Sequence, residues 1–280
     1  MSAYPWFETT LALLRDAQAA GHLPHAILVD VPGGWGAEAL TDTLCKSLLQ
    51  LEDPRPAREL AHVDLRWLAP EDAEIKVDEI RGLNAWAANR PSAAGCKVGV
   101  IEHAHRMNAG AANALLKTLE EPAQNTYLLL QSEQPERLLA TVRSRCQRVP
   151  FKPATEMARA WLLERHPDAS GFLAEAGGGP LEALALAEGG DSPVADGLKR
   201  LRTAEHRDAE FKTLLDGDVV NWLGRWYRLV VAEIGRDPKG SQARLSFADE
   251  LLSVRRQIES SNSANARLLI ERLLYKAERL

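Results

Sequence analysis

AILVDVPGGWGAEALTDTLCKSLLQL, residues 26 to 51, is the stretch on which the fold turns. Its first six residues are an apolar run of the length of a buried strand. PGGWG at 32 to 36 then reverses the chain, and beyond it Leu40, Leu44, Leu48 and Leu51 recur at helical spacing. Strand, glycine turn and helix together open a nucleotide-binding α/β unit.

The same alternation extends outward from that stretch. Upstream, apolar residues from Phe7 to Ala20 follow a helical period that Gly21 and Pro24 stop. Downstream, the polar, proline-containing EDPRPARE at 52 to 59 is a connection, and VDLRWL at 63 to 68 alternates as a strand does. A helix runs from Asp78 through Trp86 and is closed by Pro91; KVGVIEHAH at 97 to 105 is a third strand. AANALLKTLEE at 111 to 121 is a helix ended by Pro122, and TYLLLQS at 126 to 132 a fourth strand. Pro135 heads a short helix to Val142, and RCQRVPF at 145 to 151 supplies the fifth strand. The expected fold class is α/β, a parallel five-strand sheet flanked by helices.

Beyond Phe151 the strand signal ends. Residues 155 to 188 read as short helices broken at His166-Pro167 and at Gly177-Gly178-Gly179-Pro180. GGDSP at 189 to 193 separates them from a helical tail to Leu280, in which WLGRWYRLVV at 222 to 231 and ARLLIERLLYKAERL at 266 to 280 carry wide apolar stripes. Trp222, Trp226 and Tyr227 are expected as core or interface anchors rather than as a stacking platform for bases.

Composition narrows the function classes. The chain has 280 residues, 45% hydrophobic and 26% charged, as in ordinary globular domains and unlike disordered or collagen-like chains. Three cysteines, Cys45, Cys96 and Cys146, stand about fifty residues apart, which fits neither a disulfide framework nor paired zinc ligands and points to a reducing cytoplasm. No run reaches the ~18 apolar residues of a membrane span, and the start MSAYPWFETT does not read as a secretory signal, so no membrane partner is expected. Residues 193–280 hold 16 Lys+Arg against 13 Asp+Glu, so +3 of the net charge of -5 lies there and -8 in the first 192 residues. The basic residues of the tail are interspersed with acids, the pattern of a solvated helical face, with a DNA-binding patch as the alternative.

The glycine turn fails as a phosphate-binding G-x-x-x-x-G-K-[ST] loop at three positions. Aligned on Gly36, the leading glycine falls on Val31, the lysine on Ala37 and the hydroxyl residue on Glu38. Alanine supplies no charge for the phosphates, and glutamate puts negative charge at the helix N-terminus where the nucleotide would bring its own. The third strand ends in Glu102-His103, leaving one carboxylate where an ATPase needs an acidic pair. These residues read as a nucleotide fold that has lost its catalytic groups.

NALLKTLEEP at 113 to 122, followed by PERLLATVRSRCQRV at 135 to 149, resembles the clamp-loader branch of the AAA+ proteins. Within that branch the degenerate loop and PERLLATVRSRC are similar to a subunit family of the bacterial DNA polymerase III clamp loader. LPHAILV at 23 to 29, GGPLEALAL at 178 to 186 and the helical tail extend the resemblance over essentially the whole chain. It implies a degenerate AAA+ domain over 1–153, a helical lid over 154–192 and an all-α collar over 193–280 that joins subunits into a ring. It also implies that Ser144-Arg145-Cys146 supplies Arg145 as an arginine finger in trans, aimed at ATP on an adjacent subunit. A guanidinium suits that task, being permanently charged with planar donors that match phosphoryl oxygens.

The lid of active relatives carries a sensor arginine, which falls here on Leu181, and leucine cannot bind phosphate. Ser132 stands near a polar sensor position but reads as an ordinary strand-end cap, and Lys117 as a solvated helical lysine. Related subunits often hold a four-cysteine zinc module between the first helix of the unit and the second strand; residues 50 to 62 contain no cysteine, so neither zinc nor ATP is expected on this chain. Cys146, beside two arginines, is a candidate for a lowered pKa but lacks the partners of a nucleophile. The implied partners are the gamma or tau ATPase subunits and the delta subunit, with the sliding clamp and primed DNA reached through the complex. The competing readings are an active clamp-loader ATPase with an atypical loop and a DNA-binding protein acting through its tail.

Overall fold

Ala26–Asp30, strand β1, reads as an unbroken apolar run because it has a strand on each side and helices above and below. It pairs in parallel with β4 (Thr126–Ser132) from Ala26↔Leu128 to Asp30↔Ser132, and with the short β5 (Gln147–Arg148) on its other edge. Adding β2 (Leu65–Leu68) and β3 (Lys97–Ile101) gives a five-stranded parallel sheet in the order β2-β3-β4-β1-β5. The computed structural model describes residues 4–70, 74–149, 151–189, 193–203, 207–237, 241–260 and 265–279.

Helices α1 (Glu8–Ala19), α2 (Ala37–Leu49), α3 (Val77–Ala87), α4 (Ala109–Glu120) and α5 (Ala140–Arg143) flank the sheet. On one face Ala26, Leu28, Leu128 and Leu130 meet Ile80 and Leu83 of α3, Leu115 and Leu119 of α4, and Val142 of α5 in one core. Alternation turns Ile27 and Val29 to the opposite face, where they are equally buried and α2 lies against the sheet. Burial on both faces is what erases the polar alternation from a parallel strand. Asn108 caps α4, its side chain accepting from the Ala111 N–H at 2.9 Å, so the helix starts earlier than the expected residue 111.

Two of the five strands differ most from the sequence reading. The third ends at Ile101 rather than 105: His103 takes a left-handed φ of 45° and Ala104–Arg106 close a 3-10 turn, which keeps the two histidines out of a ladder whose neighbouring residues are buried. The fifth is two residues long, because Arg145 and Cys146 are spent on a turn whose N–H groups go to the Val142 and Arg143 carbonyls. Pro150 of that stretch and residues 190–192 of the GGDSP break lie outside the described residues.

The chain divides into two compact units, Met1–Met157 and Ala158–Leu280. The second is all α. Helix α6 (Thr155–Arg165) spans the division, followed by α7 (Pro180–Gly189), α8 (Pro193–Arg202), α9 (Arg207–Asp216), α10 (Val219–Arg236), α11 (Ser241–Ser260) and α12 (Ala266–Ala277). Its core joins Phe211, Leu223, Leu251, Val254, Ile270 and Leu273 with the apolar stripes foreseen in the tail. Trp222 and Trp226 are buried there, edge to face with centroids 5.3 Å apart, as packing anchors.

The turn before α7 is tied to α10. Gly177 has φ +65°, and a Cβ there would stand 2.8 Å from Cδ of Arg228, so glycine is needed both for the conformation and for the close approach. The Arg228 Nε donates to the Glu175 carbonyl at 2.7 Å, the Glu175 carboxylate accepts from the Val194 N–H at 3.2 Å, and Glu182 of α7 accepts a 2.9 Å ion pair from Arg225. Among the described residues no helix is long and apolar enough to cross a membrane.

Candidate functional site

The loop after β1 leaves the sheet at its carboxyl edge, between strands whose connections run to opposite sides, the place where α/β sheets bind ligands. Gly34 and Gly36 take φ values of 76° and 84°, Gly36 as the N-cap of α2. Val31 is fully buried. Trp35 turns inward and is 3% exposed, with ring centroids 5.6 Å from Trp6 and 5.5 Å from Phe151. The Trp6 indole N–H donates to the Trp35 carbonyl at 2.9 Å, so the glycine loop is bolted to the N-terminal segment by an aromatic cluster.

The polar side chains around this loop are mostly acidic. Ala37 begins α2 with a methyl group where a phosphate-binding loop needs its lysine, and Glu38 in the same turn is exposed and paired with Arg58 at 3.2 Å. Glu133, next after β4, lies against the loop, its Oε2 3.4 Å from where a Cβ of Gly33 would be. Asp30, at the end of β1, is ion-paired with Arg148. A phosphate chain would meet backbone N–H groups and three carboxylates here, two of them already paired with Arg58 and Arg148, without a lysine or hydroxyl residue from the loop.

At the end of β3, Glu102 is 8% exposed and its Oε1 has no hydrogen-bond partner among the described residues. His103 is half-buried in its left-handed turn. His105 is buried with Nδ1 3.2 Å from the Ser132 hydroxyl, which also accepts from the Gln134 N–H at 3.2 Å, so Ser132 acts as a strand-end cap. Burial, followed by repulsion from His103, Arg106 and Arg137, pushes His105 down to about 4 from its ordinary 6.5. The unfolded chain therefore takes up this proton first as pH falls. Stability is expected to decline from about pH 6.5 toward pH 4 through this residue. The His105→Gln chain should lose that part of the slope in urea midpoints between pH 7 and pH 5; parallel profiles for the two chains would refute it.

The two arginines of VRSR play different parts. Arg143 Nη1 donates to the Pro135 and Glu136 carbonyls, each at 3.0 Å, and staples the PERLL turn to α5. Arg145 lies between Val142, which is buried in the core, and Cys146, which packs against it. The Arg145 side chain is 33% exposed; Nε donates to Glu120 Oε1 at 2.8 Å, Nη2 is bonded to the same oxygen, and Nη1 donates to the Thr141 carbonyl at 2.9 Å. Burial pushes the Cys146 thiol up to about 11, so the two arginines do not activate it.

Residues 7–155 match the family model described as DNA polymerase III, delta subunit. The chain is 31% identical to DNA polymerase III subunit delta' of Pseudomonas aeruginosa, over 97% of this chain and 96% of that one. It is 29% identical to the subunit of the same name from Escherichia coli, over 99% and 96%. The chain belongs to the DNA polymerase III delta-prime family. A DNA polymerase III gamma subunit-related protein of Thermotoga maritima shares the fold, with a TM-score of 0.60 at 20% identity over 97% of this chain and 99% of that one. The five-stranded sheet followed by a helical second unit is thus a fold shared with that protein.

In this delta-prime chain the remaining sequence-derived positions fall as follows. Leu181 lies in the first turn of α7, half-buried, in the second unit. Lys117 is exposed on α4. Among the described residues no three His, Cys, Asp or Glu side chains gather as metal ligands. Several basic residues of the tail are paired: Lys199 with Asp196, Arg267 with Asp208 and Glu271, Arg272 and Lys276 with Glu250. Three acidic residues of the site were not singled out by the sequence reading: Asp30, which closes the first strand, Glu120 and Glu133. Glu120 stood inside the quoted NALLKTLEEP without a role, and Glu133 follows a strand end whose neighbour in space, the β1 loop, only the sheet order reveals.

Proposed function

We propose that this delta-prime chain is a clamp-loader subunit that neither holds nor hydrolyses ATP. It serves as a scaffold and presents Arg145 to ATP on an adjacent gamma or tau subunit, while delta completes the ring and the assembly loads the sliding clamp onto primed DNA in the cytoplasm. In this reading 154–192 is the lid and 193–280 the collar through which subunits join, with 1–153 a degenerate AAA+ domain.

The observation that carries the reading is the loop at 31–38, where three carboxylates stand around the glycine turn and alanine replaces the lysine, while Arg145 is carried on a different surface turn. A nucleotide's negative charge is unsupported at the first place, and a guanidinium is available at the second. Titration of the isolated chain with a fluorescent ATP analogue and magnesium is expected to give no saturable binding in the micromolar range. Binding with turnover would overturn the reading and reinstate an ATPase with an atypical loop. The ion pairs along the tail weigh against a DNA-binding function for its basic residues.

A further inference from the structure

Glu120 ends α4 and Arg145 follows α5, 25 residues on, yet the two side chains meet through two donors on one carboxylate oxygen. A guanidinium has five N–H groups. The one on Nε and one on Nη2 go to Glu120, and one on Nη1 goes to the Thr141 carbonyl. The approach of Nη1 to the Ser144 hydroxyl, 3.5 Å, is at the outer limit of a hydrogen bond. One N–H on Nη1 and one on Nη2 are left, the pair that forms the end fork of the group.

We propose that Glu120 is the positioning residue for Arg145, gripping one edge of the guanidinium so that the end fork stands ready for phosphoryl oxygens on an adjacent subunit. This rests on reading Arg145 as a finger that acts in trans. The backbone on either side is already fixed, since Val142 is buried and Cys146 packs against the core. Only the side-chain torsions remain free, and Glu120 and the Thr141 carbonyl remove that freedom before the neighbour arrives. An arginine so held gives up less entropy on meeting phosphate than a free one. A surface ion pair with exposures of 33% and 49% adds little to folding stability, so orientation is the property at stake.

The test uses the assembled loader, with ATP hydrolysis stimulated by clamp and primed DNA. Glu120→Ala is expected to lower kcat roughly tenfold with KM for ATP unchanged, because an interaction that forms in the transition state is misplaced. Glu120→Gln, which keeps the acceptor oxygen, should recover most of the rate. In an Arg145→Ala background Glu120→Ala should have no further effect. If Arg145→Ala lowers the rate and Glu120→Ala does not, the positioning role is refuted and the finger stands. If Glu120→Ala lowers the rate equally in both backgrounds, it acts by another route and the proposal also fails. If Arg145→Ala itself changes nothing, the finger reading falls and this proposal with it. Gel filtration of each assembly separates all of these from a failure to assemble.

Discussion

Arg145→Ala in the reconstituted loader is expected to leave assembly intact and to lower ATP hydrolysis at the site it faces by roughly 10³-fold or more, the range of a finger supplied in trans. The reasoning starts from charge. The phosphoryl group carries spread negative charge in its transition state, and a desolvated guanidinium opposite it is worth far more than the same group in water. The loss should appear as a fall in clamp- and DNA-stimulated turnover and in the loading rate, with nucleotide affinity of the neighbour little changed. Arg143→Ala is an instructive contrast, because Arg143 is committed to the Pro135 and Glu136 carbonyls and its loss should loosen the PERLL turn. Unchanged hydrolysis and loading in Arg145→Ala would reduce the residue to an ordinary surface ion pair.

Trp35→Ala is expected to destabilise the first unit by about 3–5 kcal/mol, the usual range for deleting a buried large aromatic side chain. Trp35 is 3% exposed and touches both Trp6 and Phe151, while its carbonyl holds the Trp6 indole. Removing the ring opens a cavity under a glycine-rich loop whose left-handed residues have no other large side chain to anchor them. Urea denaturation of the full chain followed by far-UV circular dichroism reads the effect, and a shift worth less than about 1 kcal/mol would mean that the loop repacks. The variant should gain no affinity for nucleotide, because Ala37, Glu38 and Glu133 remain.

The strands whose starts the sequence located well, β1, β3 and β4, are those buried on both faces, where the run is mostly apolar. At the sheet edges the signal weakens: β2 starts two residues later than VDLRWL suggests, and β5 shrinks because Arg145 and Cys146 serve a turn. Arg145 was visible through its neighbours in the chain, whereas its partner was not, since a pairing between the ends of two helices leaves no periodic trace. Trp35 is a similar case, a single aromatic in a glycine loop whose contacts come from residues 6 and 151. Cys146 shows local charge misleading the eye: nearby arginines make it a candidate for a lowered pKa, and burial raises it instead.

The tie between Gly177 and Arg228 bears on the order in which the second unit can be made. The carbonyl of Glu175 is met by a side chain 53 residues further along, and its carboxylate by the Val194 N–H. While the chain is being synthesised from its N-terminus, the turn at 177 has only its local backbone hydrogen bonds, such as Gly178 N–H to the Leu173 carbonyl at 2.8 Å, until α10 has left the ribosome. The first unit, by contrast, has all of its strands by Arg148. Folding on the ribosome should therefore proceed in two separate episodes, with the turn at 177 joining the second and providing a late checkpoint that the helical half has closed correctly.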